Sequence, residues 1–479
     1  MKLLWQLLLM SSILIISCKK KDTDAPNPNP TPTPSTPTKE DLLRDSVYLY
    51  TKEVYLWQEV IPSYDQFKPR QYKGSTELES AEKVMTAIRN LQPLDRFSFV
   101  TTQEQSGGLQ TGADQDFGFF IKAASIDVVS PIDSVNWFVT YAYAQSSAGL
   151  AGVQRGWYIS KINGTSIAYD QNSVNILNDV FFGTVANANF EFKKPDGSTS
   201  ALNLSKTSFI ANAVLYKNVF DVGGKKTGYF VFNQFFGQPS RNELAQLFTY
   251  FQSQNINELI VDLRYNPGGS VETQDTLADL IAPLAANNQT MYKYIFNPTL
   301  QNNQHQLIRS KLGYGNIFTS AANTVNFEKA GNLNLSRIFV IVSGGSASAS
   351  ELLINNLKPY MDVKLIGDTT YGKPVGFFPI PIYNYAIYPI SFKTVNSAGN
   401  ADYYTGFAPD KLVPDGVDKN WGNVDEPCLG AALKYITTGN FRIANTEWQQ
   451  NLRFRAGKEA ELFNNSLNKN KFLGMFIEK

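Results

Sequence analysis

The 479-residue sequence predicts a multidomain α/β protein: an N-terminal helical segment, a β-rich domain, and an α/β core with a mostly parallel sheet plus antiparallel strands. Three observations predict this class. Apolar residues recur at helical spacing after Lys39, and short alternating runs fill Gly112 to Lys206. From Thr227 onward, apolar strands alternate with helical stretches. Such repetition needs crossover connections, which lay helices on both faces of a parallel sheet. The chain is long enough for several cores. Lys plus Arg (43) nearly cancel Asp plus Glu (42), with no basic run interleaved with aromatics. That balance argues against a nucleic-acid partner, which requires a concentrated positive footprint.

At the N-terminus, Lys2 precedes the apolar run Leu3 to Ile16, which is too short for a comfortable membrane span. The run ends at Ile15-Ile16-Ser17-Cys18, followed by Lys19-Lys20-Lys21. This ending resembles a bacterial lipobox. The resemblance implies that residues 1–18 are a lipoprotein signal peptide, cleaved before Cys18, whose thiol takes the lipid. The expected place is the bacterial cell envelope, on the outer membrane, with the membrane as a partner. The only other cysteine is Cys428, so no intramolecular disulfide can form once Cys18 is lipidated. Residues 19–38 follow as a tether. Asp24 to Thr38 has proline at nearly every second position, which forbids helix and sheet and favours an extended polyproline spacer of about 45 Å.

Residues 39–111 form the helical segment. Leu43, Val47, Tyr50, Val54 and Trp57 trace one helix face, and Val84, Ile88 and Leu91 another within Ala81 to Leu91. Pro93-Leu94-Asp95-Arg96-Phe97-Ser98 reads as its structural closure. Residues 112–206 read as short strands, with Pro195-Asp196-Gly197 as a hairpin turn. The run Ala148 to Gly164 resembles the centre of a PDZ domain. Asp116-Phe117-Gly118-Phe119 stands where such a domain has its carboxylate-binding loop. The resemblance makes Phe117, Gly118 and Phe119 candidate peptide-binding residues, although Asp116 opposes a peptide carboxylate.

Residues 207–440 hold the core and 441–479 a C-terminal tail. The strand Gly228–Phe232 leads to a helix over 240–251, with Ser240 and Glu243 at capping-box spacing. Buried strands are expected at 259–263, 338–342 and 363–367, helices at 273–281 and 349–357, and antiparallel strands from Phe377 to Phe392.

The chemistry concentrates in this core. Ser348 lies in Gly344-Gly345-Ser346-Ala347-Ser348-Ala349-Ser350-Glu351, between a strand end and a helix start. Amides and dipole at such a start favour a developing oxyanion. A serine nucleophile needs a base, and the chain has one histidine, His305, in a polar stretch. A lysine with a lowered pKa can serve instead, and Lys373 follows within Tyr371-Gly372-Lys373-Pro374. Asp262-Leu263-Arg264-Tyr265-Asn266-Pro267-Gly268-Gly269 supplies a turn with unobstructed backbone amides, Asp262 and Arg264 being mainly architectural.

The Asp-Leu-Arg-x-Asn-x-Gly-Gly turn, the Ser-Ala-Ser-x-Ser-Glu run and the lysine beyond it resemble the C-terminal processing peptidases, or tail-specific proteases. The likeness covers roughly Thr38 to Gly439. It implies a serine endopeptidase with Ser348 as nucleophile, Lys373 as general base, and Gly268 or Gly269 with Ala349 as oxyanion hole. Exported polypeptides are the implied substrates, cut near their C-termini, and the chemistry needs neither metal nor organic cofactor. One departure stands out. Where many members carry a glutamine that orients the lysine, this chain has Phe377. Another acceptor is then expected for Lys373, either a backbone carbonyl or the Thr370 hydroxyl. The competing reading is a peptide-binding lipoprotein with weak or lost catalysis. Ser80-Ala81-Glu82-Lys83 with Lys226-Thr227-Gly228 superficially suggests a penicillin-recognising enzyme, but Ser80 has no matching sheet.

Overall fold

The computed structural model describes residues 36–125, 135–441 and 474–478. Cys18, the expected signal peptide and nearly all of the expected tether lie outside them. Among the described residues, no helix is long and apolar enough to cross a membrane.

A six-stranded sheet organises the core, in the order Val214–Val222, Lys225–Phe232, Glu258–Asp262, Arg337–Val342, Asp362–Gly367, Lys411–Leu412. The first pair is antiparallel and every later pair parallel. Side chains alternate between faces along each strand. Phe230, Leu259, Val261, Ile338 and Val340 pack with the helices Gln238–Ser253, Val271–Ile281 and Ala349–Leu357. Tyr229, Ile260, Phe339, Ile341 and Ile366 pack on the opposite side with the helix Pro427–Thr438. With both faces covered, continuous apolar strands are the stable choice.

A second sheet joins Gly268–Ser270, Gly474–Phe476, Val375–Phe377, Phe392–Asn396, Thr290–Phe296 and Thr324–Asn326 in that order. Its second member comes from the segment expected to be tail. Antiparallel strands are also present at Ile380–Ile382 and Tyr385–Tyr388, paired with Phe99–Thr102.

The helical segment shares the main core: Leu43, Val47, Val84 and Ile88 belong to the same apolar cluster as the sheet. The helix expected over 81–91 spans Glu77–Arg89, earlier than the spacing predicts, because the Thr76 hydroxyl accepts from the Glu79 amide at 3.1 Å. The predicted Ser240/Glu243 capping box does not form. Gly237 caps that helix, and the Glu243 carboxylate instead accepts from the Ala213 and Val214 amides at 2.9 Å each. Strands between Phe119 and Ser205 form a separate sheet around their own apolar cluster, including Phe117, Trp137, Leu177 and Phe190. The hairpin at 195–197 joins Asn187–Lys193 to Thr199–Ser205.

This β-rich module meets the core through ion pairs. The Arg155 guanidinium donates to Asp415 at 2.6 Å, to the Tyr265 hydroxyl at 2.6 Å and to the Lys419 carbonyl at 2.9 Å. Arg264 in turn donates to Asp415 at 3.0 Å, Glu426 at 2.8 Å and Asp262 at 2.7 Å. Burial alone raises the Asp415 pKa, yet the two guanidiniums hold its carboxyl well below the usual range. Asp262 and Arg264 are architectural, as expected.

Candidate active site

Three neighbouring strands of the parallel sheet end on the same side, and each delivers one motif. Ligands of open α/β sheets gather at such carboxyl ends. Glu258–Asp262 leads to the Gly268-Gly269 turn, Arg337–Val342 to Ser348, and Asp362–Gly367 to Lys373.

The structure separates the three serines of the run by their hydroxyls. Ser346 Oγ donates to the Leu263 carbonyl at 2.7 Å and accepts from the Ser343 amide at 3.0 Å. Ser350 Oγ donates to the Asn266 carbonyl at 3.1 Å. Ser348 is fully buried, yet its Oγ has no hydrogen-bond partner. Its backbone has φ 59° and ψ −106°, a region that side-chain-bearing residues rarely occupy. Such strain gathers at functional sites, where the surrounding fold over-determines it.

Glu351, one turn into the helix, fixes that conformation. Its Oε2 accepts from the Ser348 and Lys373 amides at 2.8 Å each. Its Oε1 accepts from the Gly372 amide at 2.7 Å and the Thr370 hydroxyl at 2.6 Å. Burial pushes this carboxyl up, against the pull of the four donors. One side chain therefore joins the Ser348 and Lys373 loops through a single oxygen.

Lys373 is fully buried. Its Nζ lies 4.0 Å from the Phe377 ring centre and 4.8 Å from that of Phe97. Burial drives its pKa well below the ordinary lysine value, with Asp95 and Glu351 pulling weakly the other way. The Thr370 hydroxyl is engaged on both sides, donating to Glu351 and accepting from the Phe407 amide at 2.7 Å. An aromatic face stands where the glutamine amide is absent. Such a face attracts the ammonium form without accepting a conventional hydrogen bond.

The turn allows no other residue type. Gly268 has φ 105°, and a Cβ there comes within 3.0 Å of the Ala349 nitrogen. Gly269 has φ 140°, and a Cβ there meets the Phe235 carbonyl oxygen at 2.0 Å. The Gly268 amide donates to Asn266 Oδ1 at 2.9 Å. Gly268 O and the Ser270 amide pair with Phe235. By strand alternation, the Gly269 amide then faces the other way, toward the Gly474–Phe476 strand.

Sequence reasoning missed Asp95, Phe97, Glu351 and the C-terminal strand. The segment 93–98, read as structural closure, brings Phe97 onto the lysine. Glu351 carried a visible signal, its position three residues after Ser348 at a helix start. His305 is fully buried rather than in an open polar loop. Its Nε2 lies 3.1 Å from the Gly315 carbonyl and its ring packs on Phe318, away from the Ser348 hydroxyl. Phe117 and Phe119 are buried in the β-rich module, and Gly118 has φ 78°. The Phe119–Ser125 strand is an edge strand of that module's sheet. Burial, with repulsion from Asp114, pushes Asp116 up to about 7.

Residues 226–413 match the model of Peptidase family S41. A "Probable CtpA-like serine protease" of Staphylococcus saprophyticus is 25% identical over 237 residues, 50% of this chain and 42% of that protein. A carboxyl-terminal-processing protease of a Picosynechococcus species is 26% identical over 164 residues, 34% of this chain and 33% of that protein. The chain thus spans less than half the length of either curated relative. A proposed S41 protease of Bacteroides fragilis, solved by crystallography, superposes with a TM-score of 0.61 at 23% identity. That match covers 82% of this chain and 97% of the other, and it shows a shared fold. The likeness to the C-terminal processing peptidases, read from the three motifs, stands.

Proposed function

We propose that this chain, with residues 226–413 of the S41 peptidase type, is a serine endopeptidase working through a Ser348/Lys373 dyad. One observation carries the reading: a buried, unbonded Ser348 hydroxyl on a strained turn, tied through Glu351 to a desolvated lysine. Neutral Lys373 Nζ takes the proton as Ser348 Oγ bonds to the substrate carbonyl carbon. The Gly269 and Ala349 amides hold the resulting oxyanion. Collapse breaks the C–N bond, and Lys373 returns its proton to the leaving amine. Water then attacks the acyl ester, giving its proton to the same lysine; the C–Oγ bond breaks, and Lys373 returns that proton to Ser348 Oγ.

The substrates are exported polypeptides, bound as extended chains. The β-rich module is read as PDZ-like, offering its edge strand near Phe117-Gly118-Phe119 to a second peptide by strand addition. The domain limits proposed from sequence, 39–111, 112–206 and 207–440, are kept. The protein is placed in the bacterial cell envelope, held by lipid on Cys18. Membrane fractionation of Cys18→Ala checks this: release is expected, and a still-bound variant defeats it.

The deciding test compares cleavage of an unfolded protein by wild type and three serine variants. Ser348→Ala is expected to lose activity by more than about a thousandfold while keeping its fold. Ser346→Ala and Ser350→Ala should retain activity. A dead Ser346→Ala with an active Ser348→Ala defeats the assignment.

A further inference from the structure

The strand Gly474–Phe476 runs parallel to two neighbours, Gly268–Ser270 on one side and Val375–Phe377 on the other. These flanks are the candidate oxyanion turn and the segment that continues from Lys373. The register places Gly474 opposite Gly268, and Met475 opposite both Gly269 and Gly376. The Gly474 amide donates to the Pro267 carbonyl and the Ile477 amide to the Phe377 carbonyl, each at 3.1 Å.

Gly474 occupies a telling position. A Cβ on Gly268 comes within 2.6 Å of the Gly474 carbonyl oxygen and 3.0 Å of the Ala349 nitrogen. A Cβ on Gly474 itself comes within 2.6 Å of Lys373 Nζ. One residue of the tail therefore stands between the amide that receives an oxyanion and the amine that receives a proton. A residue being cut has to stand there. Met475 and Phe476 beyond it are buried. The Glu478 carboxylate is held by Arg241, with Nη2 to Oε2 at 3.0 Å, and by the Ser270 hydroxyl. The Glu478 amide donates to Glu272 at 3.0 Å.

We infer that Gly474–Glu478 is an internal pseudosubstrate, filling the substrate's strand position and holding the enzyme closed until a polypeptide displaces it. The inference rests on the Ser348/Lys373 reading and deepens it. The preferred substrate is an extended chain with a small residue at the cut, two apolar residues after it, and an acidic group further on that meets Arg241. Covalent attachment gives the tail a high effective concentration, so free substrate competes poorly while it is seated.

The test uses the chain shortened by residues 474–479 and the full chain carrying Glu478→Arg, which sets like charge against Arg241. Shortening is expected to raise cleavage of an unfolded protein about tenfold or more, with Glu478→Arg in between. A synthetic peptide with the sequence of residues 474–479 should inhibit the shortened enzyme. In a Ser348→Ala background, the same peptide carrying a fluorophore should bind the shortened chain and not the full one. If shortening abolishes activity and the peptide restores it, the strand merely completes the sheet and the inference falls. Binding to neither background also overturns it, as does a folded Glu478→Arg protein no faster than wild type. Selective binding with no cleavage by any form keeps the tail in the groove and removes the peptidase reading.

Discussion

Ser348 and Lys373 are both buried, and burial acts on them in opposite senses. The serine hydroxyl needs no charge, so its enclosure costs only the missing hydrogen bond. Burial disfavours the charged form of the lysine, so its pKa falls well below the ordinary value. Unfolding returns that amine to about 10.4. Between the two values the unfolded chain binds more protons than the folded one, so stability rises with pH across that window. Lys373→Met abolishes this slope. The variant should be inactive yet more stable than wild type at pH 7. Its advantage should shrink as pH rises and vanish above about 10.4. Denaturant midpoints of both proteins across that range check this. An advantage that persists at high pH means the gain comes from packing against Phe97 and Phe377, not from relief of charge burial.

At the scale of elements, the β-rich module carries a strained charge of its own. Asp116 sits at the entrance to the edge strand and accepts from the Gly118 amide, with Asp114 beside it and Lys206 drawing it down. Its pKa of about 7 lies above that of an unfolded aspartate, so its contribution falls as pH rises from about 4 to above 7. Asp116→Asn keeps the acceptor oxygen and removes the titration. It should gain on the order of 1 kcal/mol at pH 8 and almost nothing at pH 4, read from unfolding midpoints. An equal gain at both values sinks the explanation. The elements themselves were legible wherever their signals were local. Alternating apolar runs located the parallel strands, and a near absence of histidine pointed to Lys373. The failures came from contacts between distant segments. Glu243 stands at capping-box spacing but turns to the Ala213 and Val214 amides, a partner no local pattern displays. Phe97 reaches the lysine, and Phe476 the Gly-Gly turn, only after two sheets have assembled around them. Ser348, Lys373 and the Gly-Gly turn could be read because each lies just past a recognisable strand.

Across the whole molecule, the β-rich module has its own apolar core, while the helical segment and the sheet share another. The module meets the core through apolar packing by Tyr141, Tyr143 and Phe209 and through a buried polar cluster, of which Arg155 is the centre. The guanidinium is fully buried, bonded to Asp415, Tyr265 and the Lys419 carbonyl, and lies 4.1 Å from the Trp421 ring centre. Asp415 passes the connection to Arg264, and Arg264 to Asp262 at the end of the central strand that leads to the Gly268-Gly269 turn. Removing one partner of such a cluster leaves buried charge uncompensated, at a cost of about 3 kcal/mol. Arg155→Ala strips Asp415 of one of two guanidiniums, although Arg264 remains, so the core should stay folded. The expected result is an earlier unfolding step of the β-rich module, separated from that of the core, with Trp421 fluorescence changing at the junction. Arg155→Lys restores charge but not the planar fork that reaches four acceptors, and should recover only part of the loss. A single unfolding transition at the wild-type midpoint in Arg155→Ala means that apolar packing by Tyr141, Tyr143 and Phe209 against the core holds the module instead.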